Sequence, residues 1–420
     1  MSKSSVEKAP EFDFEKIDFN SIGPFLGKYK STDEKGNYLH WNQIKWRVPR
    51  ADAEKIWFAI KLHRSTQRKP IGLMDEKGNS FSYLTTHSME ARLHQIIKIS
   101  GSNIGAIAGN PASTNIQQKF LVSSLIMEEA ITSAQLEGAA TTREVAKKML
   151  EDEREPVDED ERMILNNFFL LKNAERTSKD DLTIDLILDF HKIATNLTTE
   201  NNVIPGEFRQ DNDIFVEDAK SEGEIAHQPP CYKEIPERLQ TLCTFANTDH
   251  SGINGNQFIA PVVKAIILHF MIGYEHPFRD GNGRTARALF YWYLISQGYW
   301  LVEFLSISRI IIKSPSQYAR AYLYTEYDEN DLTYFIDFNL KSMELALNSL
   351  KEYIERKINE KKNLYNILKN ENINERQAET VKSIINEPDL ILNINEIQGK
   401  FGTSYQTART DLLNLEAIGY

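Results

Sequence analysis

The segment His276-Pro-Phe-Arg-Asp-Gly-Asn-Gly-Arg-Thr-Ala-Arg287 separates two strongly apolar stretches of the chain. The first, Pro261–Tyr274, carries apolar residues nearly all round a helix, which is typical of a helix at the centre of a bundle. The second, from Arg284 to about Gln297, predicts another central helix. Because a loop rich in glycine and charge lies between two buried helices, we expect a mostly α-helical fold built around it.

The composition of this loop suits the binding of phosphate. Gly281 and Gly283 flank Asn282 at the start of a helix, where glycine permits positive φ and close approach of the backbone. Successive N–H groups and the helix dipole favour an anion at such a place. Arg284 and Arg287 are three residues apart and share one helix face, and two guanidinium groups suit a polyphosphate.

Two further side chains of the loop indicate chemistry on a bound phosphate. Asp280 supplies an oxygen ligand of the kind that Mg²⁺ prefers. His276 belongs to the residue type that most readily serves as a general base near neutral pH. A competing interpretation treats Gly281–Ala286 as the dinucleotide fingerprint GxGxxG/A. That fingerprint follows a strand, whereas a long helix is predicted here.

The segment resembles the signature of the Fic family, HxFx(D/E)GNGRxxR, at every specified position. The resemblance implies a Fic-type helical bundle with a small β-hairpin flap, in which Phe278 anchors the loop in the core. It implies a protein adenylyltransferase (AMPylator), which moves AMP from ATP to a Ser, Thr or Tyr hydroxyl of a protein and releases pyrophosphate. Gly283 separates the chain from the Doc branch, where a lysine replaces this glycine and phosphate is transferred.

The same resemblance assigns roles to individual residues. His276 would deprotonate the target hydroxyl, Asp280 would hold the implied cofactor Mg²⁺, and Arg287 would hold the γ-phosphate. Backbone N–H groups of the loop would bind the α- and β-phosphates. For Tyr318, which lies downstream, packing in the core is an equal alternative. The predicted nucleotide-binding residues are Asp280, Gly281, Asn282, Gly283, Arg284, Thr285, Arg287 and Tyr318.

A second segment, Ser133-Ala-Gln-Leu-Glu137-Gly138, resembles the Fic inhibitory motif (S/T)xxxE(G/N). Ser133 and Glu137 are four residues apart and lie on one face of a predicted inhibitory helix at about 121–138. In the family, this carboxylate pairs with the guanidinium that the γ-phosphate requires. Two alternatives stay open: a solvent-facing Glu137 before a capping glycine, and a Glu137 that positions water for removal of AMP.

The predicted flap covers about residues 206–227. It begins with Gly206-Glu-Phe-Arg209, and a turn-rich segment follows at Asp218–Gly223. The flap would align a segment of the target protein by adding it as a strand, through main-chain hydrogen bonds. The predicted docking residues are Asp213, Ile214, Phe215 and Val216.

The chain divides into four predicted regions. Residues 1–110 form an N-terminal arm and a Fic-associated region, 111–345 the Fic core with the signature loop 276–287, and 346–372 a connecting helix. Residues 373–420 resemble a helix-turn-helix or winged-helix domain. This last region is poor in Lys and Arg, so binding to protein or a structural role is as well supported as DNA binding. Its candidate DNA contacts are Thr403, Ser404, Gln406, Thr407 and Arg409.

Bulk properties limit the remaining classes of function. The 420 residues carry a net charge of −11, which excludes a general basic coat for nucleic acid. Two cysteines make neither a disulfide framework nor a zinc site. Without a signal peptide or an apolar run of about 18 residues, we expect a cytoplasmic protein with no membrane partner.

A homodimer is compatible with the sequence, and the target protein is unknown. The alternatives to AMP transfer are a nucleotide-sensing DNA-binding regulator and a de-AMPylating hydrolase that uses Glu137.

Overall fold

The computed structural model describes residues 6–100, 115–198, 203–217, 225–299, 305–370, 373–386 and 392–418. The chain forms two compact units, Met1–Leu350 and Lys351–Tyr420. The predicted fold class is confirmed, because most of the described residues are helical and two small antiparallel sheets accompany them. Within the described ranges, no helix is long and apolar enough to cross a membrane.

The N-terminal part, residues 6–100, combines helices with a two-stranded antiparallel sheet. Strand β1 (Lys69–Met74) pairs with β2 (Ser80–Tyr83), and Lys69 lies opposite Tyr83. Strand β1 contains Pro70 and Gly72, which are both disfavoured inside strands, so its sequence does not reveal it. The helices of this part are α1 (Phe19–Leu26), α2 (Trp41–Ile44), α3 (Ala53–Ser65) and α4 (His87–Ser100).

Nine helices of the described chain form the central bundle. They are α5 (Asn115–Leu136), α6 (Arg143–Glu151), α7 (Glu159–Arg176), α8 (Ile184–Ala194), α9 (Ile235–Asn247), α10 (Pro261–Glu275), α11 (Asn282–Ser296), α12 (Ile307–Ile311) and α13 (Pro315–Tyr327). Short 3₁₀ turns at Phe14–Lys16, Arg50–Asp52, Tyr232–Glu234 and Ile253–Gly255 complete the helical structure.

Helices α10 and α11 lie at the centre of this bundle, as the sequence predicts. All residues from Val262 to Ile272 and from Arg284 to Leu294 are buried. The two helices pack against each other, α11 also contacts α7 and α8, and α5 packs on α7. Burial on all sides explains why apolar residues occur nearly all round α10. The loop between them is therefore fixed at both ends by the core.

The second sheet is the predicted hairpin. Strand β3 (Val216–Glu217) pairs with β4 (Ile225–His227), with Val216 opposite His227, and residues 218–224 lie outside the described ranges. The strand begins later than predicted, because the backbone N–H of Asp213 bonds to the side chain of Asp211 and keeps this stretch in a turn. Of the four predicted docking residues, Asp213, Ile214 and Phe215 precede the strand, and only Val216 lies in it.

The second unit contains the three short helices that the sequence predicts. Helix α14 (Thr333–Asn370) crosses the boundary between the units, and α15 (Glu375–Asn386), α16 (Ile394–Phe401) and α17 (Tyr405–Ala417) follow it. Gly402 has a φ of +61° at the end of α16, and Ser404 caps α17 by accepting a hydrogen bond from the Thr407 N–H. This arrangement agrees with a helix-turn-helix pattern, whereas the winged-helix assignment and its DNA contacts stay predictions.

Candidate active site

The signature loop begins at His276, which ends α10 in an unusual backbone conformation. Its φ of 43° and ψ of 56° lie in the left-handed region, which costs a residue other than glycine roughly 1–2 kcal/mol. Arg209 stabilises this turn, because its Nε donates to the His276 carbonyl and its backbone N–H donates to the Pro277 carbonyl, both at 2.9 Å. Strain that is held in place by such contacts is typical of functional sites.

The imidazole of His276 is neutral at physiological pH. Burial lowers the pKa of His276 to about 4, and the neighbouring charge of His227 acts in the same direction. The Nδ1 atom lies 3.4 Å from the Gly273 carbonyl oxygen, so the ring proton belongs on Nδ1. A neutral ring in this tautomer leaves the lone pair on Nε2, where it can accept a proton.

Phe278 anchors the loop in the core, as the family resemblance implies. Its ring is fully buried and stacks on His191 with 3.7 Å between ring centroids and 2° between planes. The loop is closed by Asn282, whose Oδ1 accepts from the Phe278 N–H at 3.0 Å and whose Nδ2 donates to the Phe278 carbonyl at 2.8 Å. The Asn282 side chain therefore shapes the loop.

His191, on α8, is a contributor to the site that the sequence pattern did not indicate. Its Nδ1 accepts a hydrogen bond from the Gly206 N–H, and its Nε2 lies 3.0 Å from the Asp280 carbonyl. Burial lowers the pKa of His191 to about 4, so the ring is neutral and donates through Nε2. One histidine thus joins the signature loop to the start of the flap segment, a contact between distant residues that no local pattern reveals.

Two glycines of the loop occupy places where a β-carbon would overlap a neighbouring side chain. Gly281 has a φ of 78°, and a β-carbon there would lie 2.8 Å from Thr195 Cγ2. A β-carbon on Gly283 would lie 2.3 Å from Glu137 Oε1. A side chain at position 283 would therefore force Glu137 of the inhibitory motif to move from its observed position.

Arg284 is completely buried and turned towards the protein. Its Nη1 donates to the Ala194 carbonyl at 2.9 Å, and its Nη2 donates to Asp280 Oδ2 at 2.7 Å. The guanidinium therefore orients the Asp280 carboxylate. Thr285, the next residue, is also buried, and its hydroxyl makes no hydrogen bond within the described part of the chain.

Arg287 is bound by the predicted inhibitory motif. Its Nη2 donates to Glu137 Oε1 at 2.7 Å, its Nε donates to Ser133 Oγ at 2.9 Å, and its Nη2 also reaches the Ser133 carbonyl at 3.2 Å. Although burial acts in the opposite direction, Arg287 and Arg284 keep the pKa of Glu137 below its ordinary value. The carboxylate is therefore ionised, and Gly138, with a φ of +110°, turns the chain directly after it.

Tyr318 and the docking residues lie at the edges of the site. The Tyr318 hydroxyl is 2.9 Å from His269 Nε2, and its ring packs against Phe335 and Phe338. Burial raises the pKa of Tyr318 to about 12, so it stays neutral. On the hairpin, the exposed apolar side chains are Phe215, Val216 and Ile225.

Comparison with known proteins agrees with this geometry. Residues 181–294 match the profile described as the Fic/DOC family. This part of the chain is a Fic domain. The protein adenylyltransferase Fic of Drosophila melanogaster is 32% identical over 127 residues, which cover 30% of this chain and 23% of that protein. Its counterpart in Drosophila virilis is 30% identical over 162 residues, which cover 38% of this chain and 30% of that protein. The chain thus spans less than a third of the length of these relatives.

A solved structure shows that the likeness in fold extends beyond the Fic domain. A Fic family protein from Desulfovibrio desulfuricans G20 superposes with a TM-score of 0.50 and 17% sequence identity. The superposition covers 77% of this chain and 86% of that protein. At this level of identity the comparison establishes the fold of the Fic domain and of neighbouring helices, and it does not by itself assign an activity.

Proposed function

We propose that this chain is a protein adenylyltransferase that moves AMP from ATP to a Ser, Thr or Tyr hydroxyl of a protein. The observation that carries the proposal is the arrangement of one loop anchored by Phe278. This loop joins a neutral histidine, His276, to a glycine-lined helix start at Gly281. The Drosophila relatives are named protein adenylyltransferases, and the matched residues include this loop.

In the proposed reaction, the target hydroxyl oxygen attacks the α-phosphorus of ATP. The bond between the α-phosphorus and the oxygen bridging to the β-phosphate breaks, and pyrophosphate leaves with the electron pair. The hydroxyl proton passes to Nε2 of His276, because Nδ1 already faces the Gly273 carbonyl. The product is an AMP ester of the target side chain, and atoms and charge balance without an external oxidant or reductant.

Backbone N–H groups of Gly281, Asn282 and Gly283 would stabilise the charge that develops on the phosphates. They lie at the N-terminus of α11, where the helix dipole adds a favourable field. Loss of one such contact typically costs about 10²–10³ in rate. Arg287 would bind the γ-phosphate once it is released from Glu137. Arg284 would act through Asp280, since its guanidinium is buried.

Asp280 fits the role of a Mg²⁺ ligand. No group of three or more His, Cys, Asp or Glu that could hold a metal ion occurs among the described residues. Mg²⁺ does not need one, because it commonly binds to one or two carboxylates together with substrate phosphates and water. The hydrogen bond from Arg284 fixes the Asp280 carboxylate through Oδ2. When bound, Mg²⁺ would neutralise charge on the phosphate oxygens.

We also propose that Glu137 inhibits the enzyme. Its carboxylate occupies the Arg287 guanidinium at 2.7 Å, so a γ-phosphate has to displace an ion pair that is largely removed from water. Ser133 supports this arrangement through two contacts to the same guanidinium. The inhibited state therefore needs no second chain, and activation requires movement of the end of α5.

Because Cys231 and Cys243 are both free, we propose that the protein works in the reducing cytoplasm.

The decisive experiment compares ATP labelled at the α-phosphate with ATP labelled at the γ-phosphate. Wild type, Glu137→Gly and His276→Ala are incubated with Mg²⁺, and label fixed on the protein itself is measured. Label from the α position alone, strongest in Glu137→Gly and absent in His276→Ala, supports AMP transfer. Label from the γ position would indicate a kinase instead. No label from either position, with ATP still bound, contradicts transfer and favours a nucleotide sensor or removal of AMP.

A further inference from the structure

His227, on the second strand of the hairpin, lies between two acceptors from two different helices. Its Nδ1 is 2.7 Å from Glu326 Oε2 on α13, and its Nε2 is 2.7 Å from the Tyr274 carbonyl oxygen on α10. The side chain is buried, and the Tyr274 ring packs beside it with 5.1 Å between centroids. His227 is the last residue of the predicted flap, and the sequence analysis assigns it no role.

The geometry favours a charged imidazole. A carbonyl oxygen only accepts hydrogen bonds, so Nε2 carries a proton, and the Glu326 carboxylate accepts a second one from Nδ1. Burial acts against the charge, but the hydrogen bond to Glu326, the charge of Glu326 and the field of Glu275 together raise the pKa of His227 above its ordinary value. Other titratable groups nearby include Tyr274, whose pKa is raised by burial, and His276, whose pKa is lowered by burial and by the charge of His227.

The contact with Tyr274 places this charge two residues before His276. Tyr274 belongs to the last turn of α10, where carbonyl groups lack helical partners and cations are favoured. Arg209, at the other end of the flap segment, donates to the His276 and Pro277 carbonyls of the same turn. The flap segment is thus attached to the catalytic turn at two points, one before the hairpin and one on its second strand.

We propose that His227 is a positioning residue, which as an imidazolium ties strand β4 to the last turn of α10. It thereby fixes where a target segment added to the hairpin meets His276. Its charge adds to the effect of burial in keeping the His276 ring neutral. The significance for catalysis rests on the proposed function, because it takes His276 as the base. The attachment itself is a property of the folded chain and can be tested without activity.

Two substitutions distinguish the effect of the charge on His227 from the effect of its hydrogen bonds to α10 and α13. His227→Gln removes the charge and cannot satisfy both acceptors in the observed geometry. Glu326→Gln keeps a hydrogen bond, since the amide can donate to Nδ1 of a neutral ring whose Nε2–H still reaches Tyr274. His87→Gln is the matched control, because that side chain is fully exposed and contacts only Glu90 among the partners that the structure describes.

The test combines two measurements on the full chain at pH 7. Spectra of ¹⁵N-labelled histidine should show His227 doubly protonated in wild type and neutral in Glu326→Gln. Hydrogen exchange in peptides covering 225–230 and 272–279 should speed up about tenfold or more in His227→Gln, less in Glu326→Gln, and not at all in His87→Gln. Circular dichroism checks that each variant is folded. A neutral His227 in wild type, or wild-type exchange in folded His227→Gln, would overturn the inference.

Activity gives a separate readout in the Glu137→Gly background. Adding His227→Gln should lower the rate of self-labelling from α-labelled ATP while the KM for ATP stays unchanged, and should raise the pKa of His276 in the histidine spectra. An unchanged rate and an unchanged His276 pKa would contradict the positioning role. If Glu137→Gly itself takes up no label, the proposed function fails, whereas exchange and spectra still decide whether His227 holds the hairpin.

Discussion

Arg287 donates a hydrogen bond to Glu137 across 2.7 Å, although 150 residues of chain separate them. Both groups are charged, and the side chain of Arg287 is 2% exposed whereas that of Glu137 is 24% exposed. The carboxylate is therefore the more mobile partner, since it can turn towards water while the arginine stays in the core. A ligand phosphate would meet Arg287 in place, so under the proposed inhibition the movement needed for activity is that of Glu137.

Glu137→Gly is expected to raise the rate of AMP transfer. The substitution frees Arg287 for the γ-phosphate, and a coupling of about 1–3 kcal/mol corresponds to roughly 5–150-fold. The measurement is self-labelling from α-labelled ATP, together with the dissociation constant of ATP. Glu155→Gly is the matched control, because Glu155 is 90% exposed and lies outside the helices. Lower activity in Glu137→Gly would instead favour a catalytic role of this carboxylate in removing AMP.

His276→Asn is expected to abolish transfer and to leave the fold intact. Asparagine tolerates left-handed backbone better than alanine does, so it suits the φ of 43° at this position but supplies no base. Loss of a general base typically costs about 10²–10⁴ in rate. Rate and Tm are measured together in the Glu137→Gly background. A rate that survives in a variant with unchanged Tm would remove His276 from the mechanism.

Gly283→Ala is expected to destabilise the chain by about 1–3 kcal/mol, because the new β-carbon would overlap Glu137 Oε1. The same substitution should cost much less in a chain that already carries Glu137→Gly. A double-mutant cycle of urea unfolding measures this difference without any assay of activity. Additive effects would show that the two positions do not compete for the same space in solution.

The unfolding free energy is expected to fall as the pH drops from 7 to 5. Burial lowers the pKa of His40 and His191 to about 4 and that of His269 to about 3. The unfolded chain therefore binds protons below about pH 6.5 that the folded chain does not, which favours unfolding. This stability is fully present above pH 6.5 and is lost as the pH falls towards 4. Urea titrations at intervals of half a pH unit check it, and a flat profile between pH 7 and 5 would contradict the neutral histidines.

Much of the bundle could be predicted because the pattern of residues within each helix is enough to indicate that helix. Apolar residues nearly all round α10 predicted a central helix, and the glycines of the following loop predicted a helix N-terminus that could accept phosphate. The pairing of Glu137 with Arg287 followed from family resemblance, and the structure brings the two side chains together. These features depend on short segments whose residue types are restricted by packing or by backbone conformation.

Other features depend on contacts that the order of residues does not reveal. His191 reaches the signature turn from α8, and Arg209 and His227 reach it from the two ends of the flap segment. The residue type and local pattern of each give no sign of these contacts. Arg284 was expected to reach the phosphates, yet its guanidinium is used by Ala194 and Asp280, which only the packed structure shows.

Glu137, at the end of α5, lies outside the signature loop, so in the proposed mechanism inhibition and catalysis depend on different residues that can evolve separately. Substitutions near Gly138 that loosen or tighten the final turn would change how often Arg287 is released, and they would leave the signature loop as it is. Under the proposed inhibition, substitutions at residues that do not contact ATP would change the basal rate of AMP transfer.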